Sequence, residues 1–162
     1  MNISKKKIAN AVMVLVLTAG FSSCEARIPL EDMVIGGVGV GTHINYVKQV
    51  YGEPSAVKQH KAEVDSDIRN PMEYSYGKTF TLYADGSIVY SVSSTGNNGL
   101  KTSKGITVGM PYSNVVKAYG KPDYAQSWKG FTNYTYLATT RLTRFYFKID
   151  DSTQKIVAIG IG

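Results

Sequence analysis

The chain has 162 residues, 43% hydrophobic and 19% charged, enough for one core or two very small ones but not for a multidomain enzyme. Eighteen Lys and Arg against twelve Asp and Glu give a formal +6; Lys5, Lys6 and Lys7 crowd the N-terminus, and the +3 left without residues 1–23 is too small for a dedicated nucleic-acid binder. A single Cys excludes an internal disulfide, and two His, His43 and His60, leave little for a zinc site.

In chain order, a positive start runs to Lys7, Ile8 to Phe21 carry no charge, and Ala11 to Leu17 are continuously apolar. This is the pattern of a secretory signal, and the uncharged stretch ending at Cys24 is shorter than the ~20 residues a membrane-spanning helix needs. Cys24 follows directly, after Phe21-Ser22-Ser23. The arrangement resembles a bacterial lipoprotein signal covering residues 1–23, although Phe21 stands where such signals usually carry Leu. The resemblance implies a lipidated Cys24 thiol, cleavage before Cys24 and an acylated amine; several chains anchor far more firmly than one. Ordinary cleavage near Ala26, leaving a secreted soluble protein, is the alternative. Residues 24–35 then read as a tether.

Residues 37–54, GVGVGTHINYVKQVYGEP, align without a gap with residues 105–122, GITVGMPYSNVVKAYGKP, at an offset of 68. Seven positions are identical, among them Gly41/Gly109, Val47/Val115, Tyr51/Tyr119, Gly52/Gly120 and Pro54/Pro122. They are the positions that a strand, a turn and a helix would need, so the repeat is structural. In the first copy Thr42 is the expected helix cap, Ile44, Val47 and Tyr51 form the apolar stripe, and Gly52 with Pro54 stops the helix. In the second copy Pro111 occupies the first turn, Tyr112, Val115 and Tyr119 form the stripe, and Met110 predicts a less sharp start because it cannot cap.

After each helix the period changes to alternation, in Thr79–Tyr83 and Arg144–Ile149, followed by Ser87–Val92 and Lys155–Ile159 across turns at Asp85-Gly86 and 150–153. Tyr74–Tyr76 and Tyr134–Tyr136 are further strand candidates, and 58–69 reads as a surface loop. The expected class is therefore α+β: two tandem modules, residues 36–93 and 105–162, joined by a linker at 94–104. Each module has a short helix on its own small antiparallel sheet.

The second copy, from Ile106-Thr107-Val108-Gly109-Met110 through Val115, Tyr119-Gly120-Lys121-Pro122, Tyr134, Tyr136, Phe145 and Phe147 to Ile156-Val157, resembles the SmpA/OmlA family of small envelope lipoproteins, which includes BamE. The tandem arrangement is similar to the β-lactamase-inhibitor-protein fold. These resemblances imply an envelope assembly factor, or an inhibitor that grips a partner through an exposed sheet face. The duplication departs from the usual single BamE-like copy and favours the inhibitor-like architecture.

Chemical motifs are sparse. The glycines from Gly36 to Gly41 miss the G-x-G-x-x-G spacing at Thr42, and no P-loop ending follows. Glu63, Asp65 and Asp67 alternate without an EF-hand loop. Neither His has zinc-like neighbours, and no serine lies in a G-x-S-x-G elbow. Catalytic residues, metal and cofactor are accordingly expected to be absent, and the protein is expected not to be an enzyme. On the strands, alternation sends Phe80 and Leu82 to one face with Tyr83 opposite, and Phe145, Phe147 and Ile149 to one face with Arg144, Tyr146 and Lys148 opposite. Tyr83, Tyr146, Arg144, Lys148 and Trp128 are the candidate partner-binding residues, because tyrosine offers large contact area with little rotamer entropy to lose. The expected function is a lipid-anchored, non-enzymatic module that binds another envelope or secreted protein. Cell-wall glycan or small-lipid binding is the alternative, and a hydrolase acting on envelope material a third.

Overall fold

The computed structural model describes residues 27–63, 66–140 and 142–162; the signal segment and Cys24 lie outside them. A 3₁₀ turn at Leu30–Asp32 precedes helix α1, Ile44–Tyr51. Four strands follow: β1 Ala56–Gln59, β2 Pro71–Tyr76, β3 Phe80–Asp85 and β4 Ile88–Ser94. Helix α2, Tyr112–Tyr119, begins the second half, with β5 Tyr124–Trp128, β6 Phe131–Leu137, β7 Arg144–Asp150 and β8 Lys155–Ile161.

All eight strands form one antiparallel sheet, in the order β1-β2-β3-β4-β8-β7-β6-β5. This overturns the expected pair of tandem α+β modules. The last strand of each half pairs with the other, Val92 opposite Ile161, Ser93 opposite Gly160 and Ser94 opposite Ile159, so the described residues form one mostly β layer with two eight-residue helices. The physical reason lies in those strands. Each closing strand would otherwise present an open row of N–H and C=O groups at an edge, and pairing the two removes both edges at once.

The core is equally undivided. Val47 and Val115 on the helices, Leu82 and Val92 in the first half, and Phe145, Phe147 and Ile159 in the second belong to one buried cluster. Strands β3 and β7 bury alternate residues, Phe80, Leu82 and Ala84 in one and Phe145, Phe147 and Ile149 in the other, as period-two alternation requires.

Local geometry repeats across the offset of 68. Gly41 N–H donates to Val89 O and Gly109 N–H to Ile156 O, both at 2.8 Å. Gly52 and Gly120 end the helices at φ 78°, donating to Lys48 O and Val116 O. The Tyr51 hydroxyl donates to Gly36 O at 2.6 Å, whereas that of Tyr119 donates to Thr102 Oγ1 at 2.7 Å. Bulges fall at matching places, Tyr90 in β4 and Val157 in β8, where each register shifts by one.

The helix starts differ from expectation. His43, not Thr42, caps α1 by accepting Asn45 N–H at Nδ1, because the Thr42 hydroxyl accepts Gly39 N–H and its carbonyl accepts Val89 N–H. Helix α2 lacks a side-chain cap yet starts at the equivalent residue. Its first N–H, on Tyr112, donates to Gln154 O in the hairpin beneath, as Ile44 N–H does to Ser87 O. The sheet, not the cap, sets both starts.

Candidate functional site

Both helices pack on one face of the sheet. On the other, cross-strand partners form a continuous row over all eight strands: Ala56, Ser75, Thr81, Ser93, Gly160, Tyr146, Thr135 and Tyr124. The first five are small and the last three carry two tyrosine rings, so along this row the outer face is shallow in the first half and walled in the second. The Tyr146 ring lies against Gly160, filling the space a Cβ there would need.

Tyr83 lies on this face, in register with Glu73 on one side and Ser91 on the other. His60 and Tyr90 flank it with ring centroids 6.1 and 6.3 Å away. His60 Nε2 stands 2.7 Å from the Glu73 carboxylate. Burial lifts the Tyr83 and Tyr90 hydroxyls above the ordinary phenol range, and the neighbouring Glu73 and Tyr146 add to the effect at Tyr83. Both therefore stay neutral donors at physiological pH.

In the second half, Tyr146, Arg144 and Lys148 alternate outward along β7 as expected. Arg144 is exposed at the strand start, opposite Leu137. The Lys148 ammonium sits 4.4 Å from the centre of the Phe131 ring and that of Lys129 4.3 Å from Trp128, contacts that direct both cations over aromatic faces. Trp128 ends the edge strand β5 and is 68% exposed. Tyr83 and Tyr146 are half-buried.

Between Tyr146 and the β5 edge lies an open groove of about 670 Å³, lined by Arg27, Tyr124, Gln126, Asn133, Arg144 and Tyr146 among others. Arg27 reaches it because the chain entering the fold pairs with the end of β6: Ile28 N–H donates to Leu137 O, and Thr139 N–H to Ile28 O. Ile28 points into the core, which turns its neighbour Arg27 to the opposite side. Arg27, Tyr124, Gln126 and Asn133 were absent from the sequence-based candidates. The signal for the last three was the Lys129-Gly130 pair, both with positive φ, which closes a two-residue hairpin between β5 and β6.

No family model matches the chain, and no curated protein does. Solved structures that share its fold include those of two proteins described as extracellular or secretory. One is an extracellular protein containing a SCP domain from Bacillus anthracis, with a TM-score of 0.51 and 13% identity over 99% of this chain and 49% of that one. The other is a cysteine-rich secretory protein from Staphylococcus aureus, with a TM-score of 0.50 and 13% identity over 85% of this chain and 48% of that one. The chain thus spans about half the length of each. A candidate β-lactamase inhibitor protein from Streptococcus mutans overlaps more loosely, with a TM-score of 0.34 and 16% identity over 72% of this chain and 79% of that one. None of these comparisons shows the SmpA/OmlA family.

Proposed function

We propose that the protein is an exported, lipid-anchored binding protein without catalytic activity, and that its outer sheet face grips another envelope or secreted protein. The observation that carries this reading is the face itself. It is eight strands wide, both helices pack on its opposite side, and it holds Tyr83, Tyr146, Tyr124 and Trp128 at half-buried or exposed positions. Rigid aromatic side chains on a strand scaffold are the usual anchors of protein recognition. Export is supported by the N-terminal signal pattern, and two solved structures that share the fold are described as extracellular and secretory proteins. The Cys24 anchor rests on sequence placement alone.

The test is crosslinking in the native cell, with captured proteins identified for the wild type and for a Tyr83→Ala, Tyr146→Ala double variant. One specific partner should be captured by the wild type and lost at least tenfold in the variant, with the thermal transition retained. Equal capture removes this face as the binding site. Cys24→Ser should move the protein from the membrane fraction to the soluble one; an unchanged distribution removes the anchor.

A further inference from the structure

We propose that the groove between β5 and β7 is a carboxylate-binding site, which takes an acidic side chain of the partner protein between Arg27 and Arg144. This inference rests on the protein-binding reading and assigns chemistry to one part of the face.

Among the described residues, two guanidiniums line the groove, and no Asp or Glu does. Among the described residues, neither Arg27 nor Arg144 has a carboxylate within 4.0 Å, the ion pairs being Lys48–Glu53 and His60–Glu73. Arg27 Nη1 is buried and, among the described residues, has no hydrogen-bond partner. A guanidinium nitrogen removed from water without an acceptor is costly, and a carboxylate meeting the rest of the same guanidinium in the groove would offset part of that cost through its charge. The planar fork of each arginine suits two parallel bonds to a carboxylate.

The nearby acids are already engaged. Asp123, just before β5, spends Oδ2 on Leu137 N–H at 2.8 Å. Asp150 Oδ1 accepts bonds from Ser152 and Thr153, which holds its carboxyl below the ordinary range. Glu73 lies in the other half beside His60. These carboxylates keep their charge but are held by those donors, and among the described residues none of them lines the groove.

Its remaining walls favour a peptide over a polyanion. Gln126 and Asn133 are cross-strand partners on the floor, offering amide donors and acceptors, and Tyr124 and Tyr146 stand along the row beside them. Polyanions such as nucleic acids are recruited by many cations along a stripe. Among the described residues, two further outer-face cations, Lys148 and Lys129, lie over Phe131 and Trp128.

The test is calorimetric titration and backbone amide NMR with capped hexaglutamate and hexaglutamine peptides as probes. Hexaglutamate should bind, shift amides of β5 to β7 around the groove and weaken with salt, and Arg27→Gln and Arg144→Gln should each reduce its affinity at least tenfold. Arg144→Lys, which keeps the charge and loses the fork, should fall between. Absent hexaglutamate binding, equal binding of hexaglutamine, or affinity unchanged in both glutamine variants would overturn the site. Equal binding of inorganic phosphate at the same amides would overturn the carboxylate assignment. Partner capture that survives both arginine variants but fails in the tyrosine double variant would remove this site and leave the face reading standing.

Discussion

Gly160 sits in β8 between Ser93 and Tyr146, and its φ is not one that demands glycine; what demands it is the Tyr146 ring lying where a Cβ would go. The placement of a tyrosine on the outer face thus depends on an absent side chain one strand away. Gly160→Ala should destabilise by about 1–3 kcal/mol, the range of overpacking in a filled site, and should tilt Tyr146 off the sheet. In a Tyr146→Ala background the same substitution should cost less, because the obstruction is gone. Urea denaturation of the four proteins forms the double-mutant cycle. Additive costs would mean the ring does not set the requirement. The outward direction of Tyr146 and Tyr83 was legible from alternation alone, since Phe145 and Phe147, and Phe80 and Leu82, occupy the intervening core positions. The Gly160 contact was not, because cross-strand register decides it and register is a property of two strands together.

At the scale of elements, the two helices are matched units whose ends obey the same torsional rule. Gly52 and Gly120 both adopt φ 78°, and a Cβ at either would meet nothing within 4 Å. With ψ at −166° and −153° both lie in a region essentially reserved for glycine, so the cost of alanine there is backbone strain without a clash, about 1–3 kcal/mol. Gly52→Ala and Gly120→Ala should lower stability by equal amounts within a few tenths of a kcal/mol, read as shifts of the urea midpoint at constant slope. Unequal losses would show that the helix ends carry different loads. These stops were readable from Gly followed by Pro, and so were β3, β4, β7 and β8 from their alternation. Strands β1 and β5 were not, because every residue in them is exposed and an edge strand without a buried stripe leaves no period to detect. The cap at α1 was misplaced for a related reason. Thr42 has the right chemistry, but its hydroxyl and carbonyl are taken by Gly39 and Val89, and the second of those contacts is made across the fold.

For the whole molecule, the decisive fact is that β4 and β8 are neighbours. Each reads as a strand with one buried face, and that pattern is the same whether the two sheets stay apart or fuse, which is why two modules were expected and one layer is found. The candidate site depends on this fusion. The row from Ala56 to Tyr124 crosses the seam at Ser93 and Gly160, so the small-residue trough and the tyrosine wall belong to one surface only because the halves share an edge.

The same fusion predicts how the protein unfolds. Val92, Ile159 and Ile161 bury their side chains at the seam, inside a cluster that includes residues of both helices. Separating the halves would expose this part of the core and leave two strand edges unpaired, so neither half has a stable state to retreat to. Heating should therefore give one transition whose calorimetric and van't Hoff enthalpies agree, the signature of a single cooperative unit. Residues 105–162 expressed alone should fail to give a folded monomer, because they retain the β8 edge and lose its partner. Two resolved transitions, or a stably folded monomeric fragment, would mean that each helix and its four strands suffice for themselves and that the shared sheet is an association of independent domains.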